Sequence, residues 1–228
     1  HQSAILDSLQ ALHLGQRPAE AFAASEPYVA AARAAADSTF LRALLMLQGA
    51  SDAAFGRGRP AEPRLREALA LAQAARDTVT ALRSLRWLSV AVQLQARDDE
   101  ARALYGQLHA LAATAGDSLH VAWALVGEGY HAYLRDDAQS SAALYARAAR
   151  IFARRHDVHG EQWARNGHAL ALRRMGRFRE AAAAFRLSAE LSARASEPMN
   201  EAMAWNYLGE LELYLGDPAF AVACFERS

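Results

Sequence analysis

The stretch Trp205-Asn-Tyr-Leu-Gly-Glu-Leu-Glu-Leu-Tyr-Leu-Gly-Asp-Pro-Ala-Phe-Ala-Val-Ala-Cys-Phe225 decides how this chain folds. It reads as a helix, a Gly-Asp-Pro turn and a second helix. Trp205, Leu208 and Gly209 stand at helical spacing in the first helix, and Gly216-Asp217 makes the turn. Ala221 and Phe225, four residues apart, share one face of the second helix.

The pattern recurs every 40 residues. Stepping back from Phe225 gives Phe185, Tyr145, Tyr105 and Leu65; from Ala221 it gives Ala181, Ser141, Ala101 and Ala61. The column of Gly209 reads Ala169, Gly129, Ser89 and Gly49, all small. An acidic column keeps the same step through Asp37, Asp77, Asp117, Asp157 and Glu197. A fixed period of roughly 20–50 residues is the mark of a solenoid of stacked supersecondary units. The small column lets two helix backbones approach, and the aromatic column fills the gap against the next hairpin.

These residues resemble a tetratricopeptide repeat, with one departure: Glu212 stands where the family has an aromatic residue three positions after Gly209. The usual unit has about 34 residues. The longer unit here adds roughly 9 Å of helix in total. It is similar to the longer-helix subclass of bacterial regulatory and signalling proteins and of kinesin light chains. The resemblance implies an all-α fold, a right-handed α-solenoid of antiparallel helix hairpins forming a TPR-like superhelix. It implies one array over residues 1–228: a divergent N-terminal hairpin at 1–36, repeats at 37–76, 77–116, 117–156 and 157–196, and a truncated last repeat at 197–228. Trp205 is matched by Arg165, Leu125 and Leu85, and Gly216 by Gly176, Asp136 and Ala96, departures that bear on superhelix geometry rather than fold class.

Composition narrows the function. The net charge is zero and the pI about 7.3, which argues against the basic face of a nucleic-acid binder. All 25 basic residues are arginine, read here as the codon bias of a GC-rich genome. The single cysteine, Cys224, excludes an internal disulfide framework. No apolar run approaches the length of a membrane span. The chain begins at His1 rather than Met, so it is silent on a leader; a cytoplasmic location is the expectation.

Taken in order, residues 2–14 read as a helix with Ile5, Leu6, Leu9 and Leu12 on one stripe, and Gly15-Gln-Arg-Pro18 as a turn. The next helix is expected to run to about Ala36, interrupted and kinked at Pro27. Asp37-Ser38-Thr39 is an N-cap cluster opening a helix that runs to about Phe55. Gly56-Arg-Gly-Arg-Pro60 falls at the turn position and lacks the Lys-Ser/Thr ending of a phosphate loop, so it reads as a turn. Pro60 and Pro63 push the next helix start towards Glu62. Helices then follow at about 79–95, 98–115, 118–135, 138–156, 159–175 and 178–195. The apolar side of the last helix, with Val222 and Phe225, has no following helix, so the protein is expected to continue past Ser228.

In the family this chain resembles, the first helix of each hairpin (helix A) lines the inner face. Register then places Arg83, Trp123, Trp163 and Met203 in one inward column, and Arg86, Val126, Asn166 and Asn206 in a second. A third reads Val90, Tyr130, Leu170 and Glu210; a fourth reads Gln93, Tyr133, Arg173 and Leu213, with Arg174 and Tyr214 beside it. Aromatic residues with arginine and asparagine suit a peptide-binding groove. The alternative is that Trp123 and Trp163 only pack helices together. The carboxylate clamp of one relative is not met: Arg86 is in place, but Val90 and Gly127 stand where asparagines are required.

His156 and His159 lack the third ligand of a zinc site, so no metal and no cofactor is expected. His168 replaces a core leucine, and His131 lies beside Tyr130 and Tyr133 as a weak ligand contact. Cys224 has no histidine partner in any motif and carries no nucleophile signature. No glycosidase-like carboxylate pair, nucleophile elbow or dinucleotide fingerprint appears. The expected function is a non-catalytic module that senses an effector or binds a protein or peptide in its groove, within a larger bacterial regulatory or signalling protein. Its expected partners exclude membrane and direct nucleic acid and include self-association through the truncated end. The alternatives are the regulatory half of an enzyme whose catalytic domain lies elsewhere, and a structural oligomerisation scaffold.

Overall fold

The computed structural model describes residues 2–14 and 17–228. The turn expected at Gly15–Pro18 falls largely outside the described residues. Everything regular among them is helical: α1 (Gln2–Leu14), α2 (Pro18–Ala34), α3 (Ser38–Ala54), α4 (Gly58–Ala74), α5 (Thr78–Gln93), α6 (Asp98–Ala115), α7 (Ser118–Leu134), α8 (Ala138–Arg154), α9 (Val158–Arg174), α10 (Phe178–Arg194), α11 (Pro198–Leu215) and α12 (Pro218–Phe225). The chain divides into two compact units, His1–Gly116 and Asp117–Ser228.

The beat of the backbone is finer than the sequence period. From α2 onward every helix begins 20 residues after the one before. The left-handed residue that stops a helix recurs on the same step: Ala36, Gly56, Arg76, Ala96, Gly116, Asp136, His156, Gly176, Ser196 and Gly216 all have positive φ. At Ala36, for example, Asp37 N–H donates to Ala32 C=O at 3.0 Å and Ala36 N–H to Arg33 C=O at 3.2 Å. This double bond satisfies the last carbonyls of α2. The next residue caps the following helix: Asp37, Asp77, Asp117, Asp137, Asp157 and Asp217 each accept the backbone N–H three residues on.

Two expectations about proline are corrected. Helix α2 runs unbroken through Pro27. Helix α4 begins at Gly58, not near Glu62, and contains both Pro60 and Pro63. Pro60 lies in the first turn, where its missing N–H would have no intrahelical partner anyway. The Pro60 carbonyl accepts a bond from Arg64 Nη1 at 2.8 Å. Gly58 is required by close approach, because a Cβ there would collide with the Ala91 carbonyl of α5.

In the first unit, α1 to α6 pack each on its sequence neighbour, with further α1–α3 and α3–α5 contact. Leu44, Leu65, Leu82, Leu88 and Leu108 are completely buried. In the second unit, α7 to α12 pack in the same way. Tyr145 of α8 lies between two helices that lack side chains where it passes: its ring covers Gly129 of α7 and Gly167 of α9. Tyr105, Tyr145 and Phe185 are all buried, at 5%, 6% and 0% exposure, as the aromatic column requires. Trp205 is core as well.

Candidate functional site

The first helices of the hairpins in the second unit, α7, α9 and α11, start 40 residues apart, so the inward columns lie at matching levels along them. Trp123 of α7 is half-buried and packs edge-on against Phe152, with ring centroids 4.9 Å apart. It also lies 5.6 Å from the ring of His159. Packing therefore accounts for much of Trp123. Trp163 of α9 differs, with 40% of its surface exposed. Met203 and Asn206 of α11 are half-buried, and Glu210 is exposed.

Polar groups knit this face together. Arg173 Nη1 donates to Glu210 at 3.1 Å, and its guanidinium lies 5.2 Å from the ring of Tyr207. Asn206 Nδ2 donates to Glu210 Oε1 at 3.3 Å. Between α7 and α9, Arg174 lies over the ring of Tyr133 at 4.8 Å and bonds Asp136 at 2.7 Å. Tyr130 packs edge-on against His131, which is buried. Tyr214 points elsewhere: it is mostly exposed, and its ring rests on Phe178 of α10 at 4.5 Å.

Asn166 is buried rather than groove-lining, at 8% exposure. Among the described residues its Oδ1 has no hydrogen-bond partner, and neither does Oε1 of Gln162, one helical turn away and 1% exposed. Two unpaired amide acceptors on one helix are costly unless something donates to them. Gln162 is not in the inward columns; its legible signal is a glutamine in register with Leu82 and Ala122.

His159 reaches the start of the next hairpin. Its Nδ1 bonds the carboxylate of Glu197, the residue preceding α11, and Asn200 donates to the same carboxylate at 2.5 Å. Burial alone would raise the pKa of Glu197, but the bond and charge of His159 and the bond from Asn200 outweigh it and hold the carboxyl below its ordinary value. Among the described residues no group of three or more His, Cys, Asp or Glu is placed to hold a metal. His168 is partly covered, and burial first, then the charges of Arg165 and Arg177, lower its pKa. Cys224 is fully buried.

Arg83 and Arg86 belong to α5 of the first unit. Arg83 is half-buried with no ion-pair or hydrogen-bond partner among the described residues, and burial lowers its pKa. Arg86 lies over the ring of Trp87 at 5.0 Å. Gln93 is occupied in packing, since its Oε1 accepts from the Tyr105 hydroxyl at 3.1 Å.

No protein-family model and no curated protein matches the chain. Solved structures do. BtubC (BKLC) from P. vanneervenii superposes over 90% of this chain and 87% of its own, with TM-score 0.75 and 19% identity. A kinesin-light-chain-like protein from Podosopora anserina, with nearly identical TPR-like repeats, covers 80% of this chain and 90% of its own, with TM-score 0.59 and 18% identity. The fold is a TPR-like α-solenoid. At these identities the likeness carries the fold alone. No helix among the described residues is long and apolar enough to cross a membrane.

Proposed function

We propose that the chain is a non-catalytic interaction module that holds a peptide or a segment of a partner protein on the α7–α9–α11 face. The observation that carries this reading is Trp163, a tryptophan left 40% exposed where Trp205 is drawn into the core. Large aromatic side chains with polar neighbours are the usual anchors of protein interfaces. The Arg173–Glu210–Asn206 cluster supplies donors and acceptors about one to three turns away. Structural likeness to TPR-like proteins agrees with a scaffold role.

The test is selection from a phage-displayed random peptide library with the 228-residue chain as bait. Enriched peptides are expected to lose tenfold or more in affinity for Trp163→Ala, and less for the back-face control Gln139→Ala. Absence of any enriched sequence, or equal binding to Trp163→Ala, overturns the reading.

A further inference from the structure

Helix α8 carries Arg147, Arg150 and Arg154, with Arg155 just beyond its end, and no acidic residue between Ala138 and Arg155. All four arginines are exposed. None has an ion-pair, hydrogen-bond or ring partner among the described residues. That sets them apart from the arginines elsewhere in the second unit that are tied to carboxylates: Arg165 to Glu161, Arg173 to Glu210, Arg174 to Asp136 and Arg177 to Glu180. The chain as a whole is neutral, yet α8 and the residue after it gather four arginines with no acidic residue among them.

The spacing gives the patch a shape. Positions 147, 150 and 154 follow the three-then-four step of one helix stripe, so the three side chains project from a single line about 10 Å long. The rest of that stripe is Gln139 and Ala143, uncharged and both exposed. The opposite side of α8, with Tyr145, Ala148, Ala149 and Phe152, is buried in the core and fixes the stripe rigidly outward.

We infer that the exposed stripe of α8 is a docking surface for an acidic helical segment of a protein partner, whose carboxylates pair with Arg147, Arg150 and Arg154. Guanidinium forks match carboxylates two bonds at a time, and an acidic helix repeats its charges on the same step. A nucleic acid fits less well. The stripe offers contact to only a few phosphates, the chain lacks a basic excess to support them, and no aromatic residue is exposed on α8 to stack a base. An anionic membrane fits less well too, because the stripe has no large apolar side chain to insert.

The experiment is fluorescence anisotropy with three probes: a synthetic helical peptide of about 21 residues bearing glutamates at alternating three- and four-residue steps (about two turns beyond the stripe at each end), a DNA duplex of about 20 base pairs, and phosphatidylserine vesicles. The bait is the whole chain and its Arg147→Gln/Arg150→Gln/Arg154→Gln variant, whose fold is checked by circular dichroism. A second variant, Arg150→Glu alone, stands in if the triple variant unfolds. The expected result is salt-sensitive binding of the peptide, weakened tenfold or more by the variant and unchanged by Trp163→Ala. Equal peptide binding by the folded variant, no peptide binding at low salt, or tighter binding of the duplex or the vesicles each overturns the proposal.

Discussion

Phe185 and Gly167 show how single residues hold these hairpins in step. Phe185 is completely buried among Ala169, Leu172, Trp205 and Leu208. Its replacement by alanine is expected to cost about 3–5 kcal/mol, measured by urea unfolding. Gly167→Ala is a sharper probe, because the new methyl would run into the Tyr145 ring, itself pinned against Gly129. A cost of about 1–3 kcal/mol is expected from overpacking. The aromatic and small columns were legible in the sequence because packing demands the same residue types at each step. The left-handed stops were not, since Ala36, Arg76, Ala96, His156 and Ser196 occupy positions where glycine would have announced itself. Each such residue forgoes about 1–2 kcal/mol relative to glycine, part of which is returned by the stiffer unfolded chain. Ala96→Gly is therefore expected to raise the melting temperature, with a gain of about 0.5–1 kcal/mol. A fall would show that the turn is held without strain.

At the scale of the element, charge does the work of joining successive hairpins. In the first unit Arg66 of α4 bonds Glu62 and, at 2.5 Å, Glu100 of α6. Arg97 bonds both carboxylates in turn, and Gln95 donates to Glu62 at 2.8 Å. Burial raises the pKa of Glu62, but the bonds from Gln95 and Arg66 and the charges of Arg66 and Arg97 overcome it; the bond from Arg66 leads in lowering that of Glu100. Both carboxyls are thus more acidic folded than unfolded, and the unfolded chain binds more protons. Their contribution is complete above the ordinary glutamate range, about 4.3, and is lost as pH falls through the lowered folded values. Melting temperature measured from pH 7 down to about 3 should fall less steeply for Glu62→Gln/Glu100→Gln than for the parent. Parallel curves would remove the network from the account. The start of α4 is not legible in the sequence, because Pro60 and Pro63 look like breakers, yet Gly58 lets α4 begin close against α5. On the candidate face, register names Trp163, Arg173 and Glu210 one by one, but Arg173 and Glu210 stand in different columns and their contact is seen only in the structure. The burial of Asn166 and the turning of Tyr214 onto Phe178 depended on neighbouring helices that no column reveals.

For the whole molecule, packing that passes only between helices close in sequence makes stability local. Within each unit every packed pair is a neighbour or a next-but-one neighbour. Opening of one helix then costs its own interfaces and little else. Helix α12 has the least to lose: it is 8 residues long and packs mainly on α11, with Arg186 of α10 5.0 Å from the ring of its Phe220. Phe225 is 36% exposed and Val222 56%, whereas Phe185, in the same column as Phe225, is wholly buried. In the 228-residue chain, amide exchange should therefore be fastest in α12 among the helices of the second unit and slowest in α9 and α10. Cys224 gives an independent reading, because it is the only cysteine, is fully buried, and its thiol pKa is raised first by that burial. It can react with a thiol reagent only when α12 lifts from α11. Its labelling rate should track α12 exchange and exceed the rate of global unfolding by orders of magnitude. Labelling as slow as global unfolding would mean that α12 opens only with the rest of the unit, and that cooperativity in this array reaches past nearest neighbours.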